Sequence, residues 1–318
     1  MNKKSQSKRT YLGVVKNVKF INRRSLEEYK MALQEIIQSQ SKLVKSYAHK
    51  LGAAHKNGYD LAQELFKPYT EELATRVEDQ LAQKKESGEW TALIDAANAD
   101  LTAWKEESGR IQRYTPEELA QARLQKEVAN EYSTEKSGEL ALVNQFHQAI
   151  ISYAIQNLGV ATELIKEGKS KRKFAIVELI SRLAPSLNFP GSSSYLTGAF
   201  VPYAREARTV LGESTPTGSY VQPSVAVESA HNLILQFEVS YALAETSAAP
   251  RSDVPKSKRL PEVHICSVAN GTNDPEAQAM QTQKHEIPTH FREEFDSAVR
   301  ELMFKELVSM YQIELNVD

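Results

Sequence analysis

Chemistry in this 318-residue chain would have to come from a small set of groups. The tract Arg251-Ser252-Asp253-Val254-Pro255-Lys256-Ser257-Lys258-Arg259-Leu260-Pro261 carries Lys256, Lys258 and Arg259, which with Arg208 could surround an anion, either a nucleotide or an acidic surface. The same tract also fits an exposed loop whose charges face water. His285 and His290 flank Glu286, and zinc uses such ligands, but Pro288 stops one helix face from presenting both imidazoles. They read as loop histidines, and no metal or cofactor site is expected. Cys266 is the only cysteine and lies in the apolar run Val263-His264-Ile265-Cys266-Ser267-Val268-Ala269, so no disulfide framework or cysteine-rich metal site can form within one chain.

Composition narrows the classes further. Hydrophobic residues make up 41% and charged residues 25% of the chain, an ordinary globular balance at a length that suggests about two domains. A formal net charge of −2 argues against a surface given over to nucleic acid. No run approaches the roughly 18 apolar residues of a membrane helix. The basic stretch Met1 to Thr10 has no apolar segment behind it, so it reads as a tail, a composition that also fits an organelle transit peptide. A cytoplasmic location or an organelle matrix is expected.

The elements that must position these groups change character midway. Residues 1–24 read as an extension, 25–168 as a helical domain and 169–318 as an α/β domain. Ser25 with Glu28 forms a capping box, and Leu26 to Tyr47 follow at helical spacing. A second helix starts near Tyr59 and must accommodate Pro68. Trp90 to Trp104 supplies a third. Thr115-Pro116-Glu117-Glu118 opens a fourth, running to about Tyr132. A fifth is expected from Gly138 to Glu167, with Gly168 as its cap. Beyond the exposed tract Lys169-Ser170-Lys171-Arg172-Lys173, strand-like stretches (Phe174 to Ile180, Leu196 to Tyr203, Tyr241 to Ala244, Val263 to Ala269) alternate with helices near 205–211, 224–237 and 291–311. That alternation predicts a parallel or mixed sheet covered by helices.

Four segments in order then carry a resemblance over the last 145 or so residues. Pro190-Gly191-Ser192-Ser193 leads to Gly198-Ala199-Phe200-Val201-Pro202-Tyr203-Ala204-Arg205-Glu206-Ala207-Arg208 with Leu211-Gly212; Ala244-Glu245-Thr246-Ser247-Ala248-Ala249-Pro250 follows a long helix; then come Glu262 to Ala269 and Phe291-Arg292-Glu293-Glu294-Phe295. This pattern resembles the C-terminal domain of the CinA family. The resemblance implies a cleft formed by Glu178, Ser181, Tyr203, Arg208 and Thr246. It also implies amide hydrolysis on pyridine nucleotides by a serine in an alanine-glutamate-serine-cysteine-threonine-glycine-glycine turn, helped by a lysine. Here the serine position falls on Ile176 or on Leu179, depending on register, and neither can attack a carbonyl. Arg208 stands at the lysine position, and a guanidinium cannot act as the base. The later turn keeps Pro250 but has lost its glycines. Ser181 is the remaining hydroxyl, and Ser181, Tyr203 and Arg208 are the catalytic candidates if activity survives.

The expectation is therefore a catalytically degenerate CinA-like protein acting as a structural or assembly subunit, with an amidase as the competing reading and a nucleotide as a candidate ligand. The expected helix from Gly138 carries apolar residues around more than one face, with Phe146, Ile150, Ala154 and Leu158 on rows that one layer cannot cover. These four are the expected interface with a second copy or a protein partner.

Overall fold

The computed structural model describes residues 41–53, 60–108, 114–202, 205–212, 219–250, 260–269, 279–313 and 315. Helix α1 covers 41–53. It is followed by α2 (Leu61–Ser87), α3 (Glu89–Ser108), α4 (Pro116–Asn157) and α5 (Val160–Lys169). The strands are β1 (Phe174–Val177), β2 (Leu196–Phe200), β3 (Tyr241–Ala248), β4 (Glu262–Ala269) and β5 (Ala279–Glu286). Between them lie α6 (Ala184–Leu187), α7 (Arg205–Val210) and α8 (Pro223–Phe237), and α9 (Arg292–Met310) closes the chain. No helix among the described residues is long and apolar enough to cross a membrane.

The sheet order is β2-β1-β3-β4-β5. β1 runs parallel to β2 and β3, whereas β3, β4 and β5 are antiparallel to one another, so the sheet is mixed. Alternation divides its residues between two cores. Ala175, Val177, Ala242, Ala244, Cys266 and Val268 face α8. Phe174, Ile176, Leu243, Val263 and Ile265 face α9, together with residues of α1, α4 and α5. β5 is polar, reading Ala-Met-Gln-Thr-Gln-Lys-His-Glu, and its sequence gave no apolar alternation by which to expect it.

Helices α4 and α5 differ from the expected fourth and fifth helices. A single helix of 42 residues, about 63 Å long at 1.5 Å per residue, passes straight through Gly138. A glycine inside a helix weakens it by about 1 kcal/mol relative to alanine but does not stop it. The break falls instead at Gly159, whose φ of 92° places it in the left-handed region that glycine enters freely. The start of α4 agrees with the sequence: the Thr115 hydroxyl accepts from the Glu118 N–H while the Glu118 carboxylate accepts from the Thr115 N–H.

Helix α9 sets the depth of the molecule. The sequence predicts an amphipathic closing helix, yet buried residues run all around it, including Glu294, Asp296, Arg300, Glu301 and Glu306. Its apolar side covers the sheet through Phe295, Val299, Met303 and Leu307. Its polar side is covered by the helical half, and Asn144, His147 and the first turn of α2 meet it there. The apolar core is continuous from Ala48, Leu61 and Ile150 on the helices to Leu243 and Ile265 on the sheet. Packing thus runs across the Lys169 junction.

Candidate functional site

β1 ends beside the middle of β3, with Val177 opposite Ala244, and the next residue along each chain segment is a glutamate, Glu178 just past β1 and Glu245 within β3. This is the carboxyl end of the parallel strands, where α/β sheets place ligands. The Glu178 N–H donates to the Phe200 carbonyl at 2.9 Å, which ties the strand end to β2. Its side chain turns back on the following loop. Glu178 Oε2 accepts from the Ser181 hydroxyl at 2.9 Å, from the Leu183 N–H at 2.7 Å and from the Ala184 N–H at 3.2 Å. Glu178 therefore fixes the loop and the start of α6.

Glu245 holds the same loop from β3. Its Oε1 accepts from three consecutive backbone N–H groups, those of Leu179, Ile180 and Ser181, at 2.7, 2.6 and 3.1 Å. The carboxyl is 1% exposed. Burial pushes its pKa up, against the opposing pull of those N–H donors. A third anchor comes from α9, whose Arg300 donates from Nε to the Ser181 carbonyl at 2.8 Å.

Arg300 is fully buried and links three elements. Nη2 donates to Asn144 Oδ1 at 2.9 Å and Nη1 to His147 Nδ1 at 3.1 Å. A guanidinium only donates, so His147 Nδ1 must accept and Nε2 carries the hydrogen, facing Glu301 Oε2 at 3.4 Å. Burial holds the His147 pKa below its usual value, in keeping with a neutral ring. Burial also draws the Arg300 guanidinium down to about 10, which leaves it charged at neutral pH. Burial pushes the Glu301 carboxyl up, but the hydrogen bond from His147 and the Lys305 ammonium outweigh it and hold it below its usual value.

On the opposite face of the sheet, the Thr246 hydroxyl donates to the Tyr220 carbonyl at 2.7 Å. The Arg208 guanidinium lies over the Tyr220 ring at 5.0 Å and is 4% exposed. Alternation explains the separation: Glu245 shares the face of Leu243, toward α9, and Thr246 shares the face of Ala244, toward α8. Among the described residues the structure thus brings Glu178 to Ser181 and sets Thr246 and Arg208 each against Tyr220, as two groups on two faces rather than one cleft. Ser181 is 0% exposed. Of the two positions for a nucleophile, Ile176 lies in the core and Leu179 packs against it.

Tyr203, Lys256, Lys258 and Arg259 lie outside the described residues, as do the expected extension 1–24 and the first part of the expected first helix. His285 sits on β5 and faces Gln283 Oε1 at 3.1 Å, whereas His290 meets Gln125 of α4 at 2.9 Å. Ile150, Ala154 and Leu158 are buried in the core that joins the helices to the sheet, and Phe146 packs edge-on against Tyr47 at 5.7 Å. The second apolar side of this helix, for which the α/β domain and a partner chain were both candidates and a partner interface was expected, is covered by the chain's own α/β layer. Sequence reasoning assigned no role to Glu245, Arg300 or His147. For Glu245 a signal existed, because a charge placed within Tyr241-Ala242-Leu243-Ala244-Glu245 on a central strand must find internal donors.

No family model matches this sequence, and no curated protein matches it. Among solved structures, the chain is similar to a competence-damaged protein (CinA) superfamily protein from Enterobacter cloacae, at 13% identity and a TM-score of 0.41, over 51% of this chain and 92% of that one. It is similar to the competence/damage inducible protein CihA from Agrobacterium tumefaciens at 22% identity and a TM-score of 0.39, over 48% of this chain and 93% of that one. A CinA superfamily protein from Klebsiella pneumoniae gives 16% identity and a TM-score of 0.39, over 48% and 93% of the two chains. Each of these likenesses covers about half of this chain.

Proposed function

We propose that this chain is a catalytically silent CinA-like protein whose α/β half serves as a structural platform for its helical half and for a further protein, either a second copy or a partner. The observation that carries the reading is the state of Ser181, the only hydroxyl in the loop after β1. It is sealed from solvent, and its proton is directed at a carboxylate that also accepts from two backbone N–H groups. A nucleophile must reach the reacting carbon, and its base must be oriented for that transfer. Ser181 instead serves as a brace within the loop. Arg208 packed on Tyr220 supports the same reading, since a permanently charged guanidinium gives no general base.

The test is ammonia release from nicotinamide mononucleotide by the purified protein, alongside Ser181→Ala. The expected result is no turnover above background for either. Turnover that Ser181→Ala abolishes would establish the amidase and remove the structural reading. Light scattering at micromolar concentration on the same preparation reads the association state, and the platform reading expects more than a monomer or a stable complex with a partner.

A further inference from the structure

The turn after β1 has the form of an anion site. Leu179, Ile180 and Ser181 contribute three successive N–H groups that converge on one oxygen, and Arg182 closes the turn at a φ of 50°. Successive N–H groups curled around one point make a concavity that binds anions, because their partial positive charges add there. The frame does not depend on what fills it. Glu178 holds the loop at Ser181, Leu183 and Ala184, and Arg300 holds the Ser181 carbonyl from below.

The occupant shows a mismatch. Glu245 places Oε1 at the focus, but its second oxygen, Oε2, is fully buried and has no hydrogen-bond partner among the described residues. The buried Ser247 hydroxyl draws the carboxyl's pKa down as a nearby donor, yet makes no well-formed hydrogen bond of its own. A buried carboxylate oxygen met only by a poorly aligned donor costs free energy, so the surroundings match one oxygen of this carboxylate better than the other. We infer that residues 179–181 form an oxyanion nest of the kind that takes a carboxylate or phosphate oxygen, and that the Glu245 side chain occupies it as a tethered, built-in anion. The inference rests on the proposal of a silent site and supplies its cause: an incoming oxyanion meets a carboxylate already in its place.

Shortening the occupant should open the nest. Glu245→Ala is assayed by thermal unfolding in sodium formate and in inorganic phosphate, against sodium chloride of equal ionic strength, with wild type and Glu245→Gln beside it. In the alanine variant, formate or phosphate is expected to raise the midpoint by a few degrees in a saturable way, because a ligand that binds only the folded state stabilises it. Wild type and Glu245→Gln, whose side chains still fill the nest, are expected to show no shift beyond chloride. A folded alanine variant with no anion-specific shift overturns the inference, and so does an equal shift in wild type. If the alanine variant does not fold in chloride, its refolding yield in formate is the readout. Recovery supports the nest, and equal failure in formate and chloride overturns it. None of these readouts involves turnover of nicotinamide mononucleotide, so they stand apart from the test of the silent site.

Discussion

At the scale of single residues, the chemistry of this protein lies in buried carboxylates more than in the cationic and hydroxyl groups that drew attention in the sequence. Glu294 on α9 is the sharpest case. Burial lifts its pKa from 4.5 to about 7, opposed by the hydroxyl of Thr289. The folded chain therefore keeps a proton that the unfolded chain releases between about pH 4.5 and 7, and the stability tied to this group is lost as the pH rises through that window. Glu294→Gln cannot ionise. Urea midpoints at pH 4.5 and pH 8 should show the variant gaining on wild type by on the order of 3 kcal/mol between the two conditions. A constant difference would mean that Glu294 titrates normally. Ser181 and Glu178 were legible as neighbours in the sequence, but the depth of Ser181 was not, because burial is decided by α9, more than 100 residues away.

At the scale of elements, helix ends and helix interfaces explain the rest. The first turn of α2 has its donors fully matched: Leu61 and Ala62 donate to Glu301 at 3.1 and 2.9 Å, and Gln63 donates to Asp60 at 3.0 Å. Glu301→Ala should leave two buried N–H groups and His147 without their acceptor, destabilising the fold by roughly 3 kcal/mol, whereas Glu301→Gln should retain much of that stability. Denaturant midpoints of the pair decide whether Glu301 acts as a cap or only as a charge. Two glycines make a second pair. Nothing lies within 4 Å of a Cβ built on Gly138, so Gly138→Ala should stabilise α4 by about 0.5–1 kcal/mol. A Cβ on Gly168 would stand 2.3 Å from the Ser194 carbonyl oxygen, so Gly168→Ala should instead force α5 off the loop before β2 and lower the melting temperature. Helix starts such as Thr115-Pro116 were readable because their signals are local. The break at Gly159 rather than Gly138 was not, since both are glycines within apolar stripes and only packing separates them.

At the scale of the whole molecule, the helical and α/β halves are joined through α9 and a continuous core. The tract Lys169-Ser170-Lys171-Arg172-Lys173 is exposed and offers a protease a site. Cleavage there should leave both fragments eluting together from a sizing column under native conditions, and separating only in denaturant. Free, soluble fragments would show that the shared core contributes little. Ile150→Asp addresses the same point from within, because Ile150 is 0% exposed at the junction of the two halves. A carboxylate there has no donor to meet, so the variant is expected to lose the cooperative unfolding transition altogether rather than merely to dissociate from a partner.

The sequence by itself determined the class of each half, the order of β1 to β4 with α7 and α8 between them, the cap of α4 and the family resemblance of residues 174–318. Each of these is written in local periodicity, in turn chemistry or in the order of short segments. The tertiary structure alone decided that β5 joins the sheet, that α9 is covered on every side, that Ile150 to Leu158 face the chain's own sheet, and that Glu245 fills the turn after β1. The physical reason is common to all four. A polar residue can be edge, surface or buried partner with the same local pattern, and which of these it becomes depends on a donor or an apolar face supplied from elsewhere in the chain.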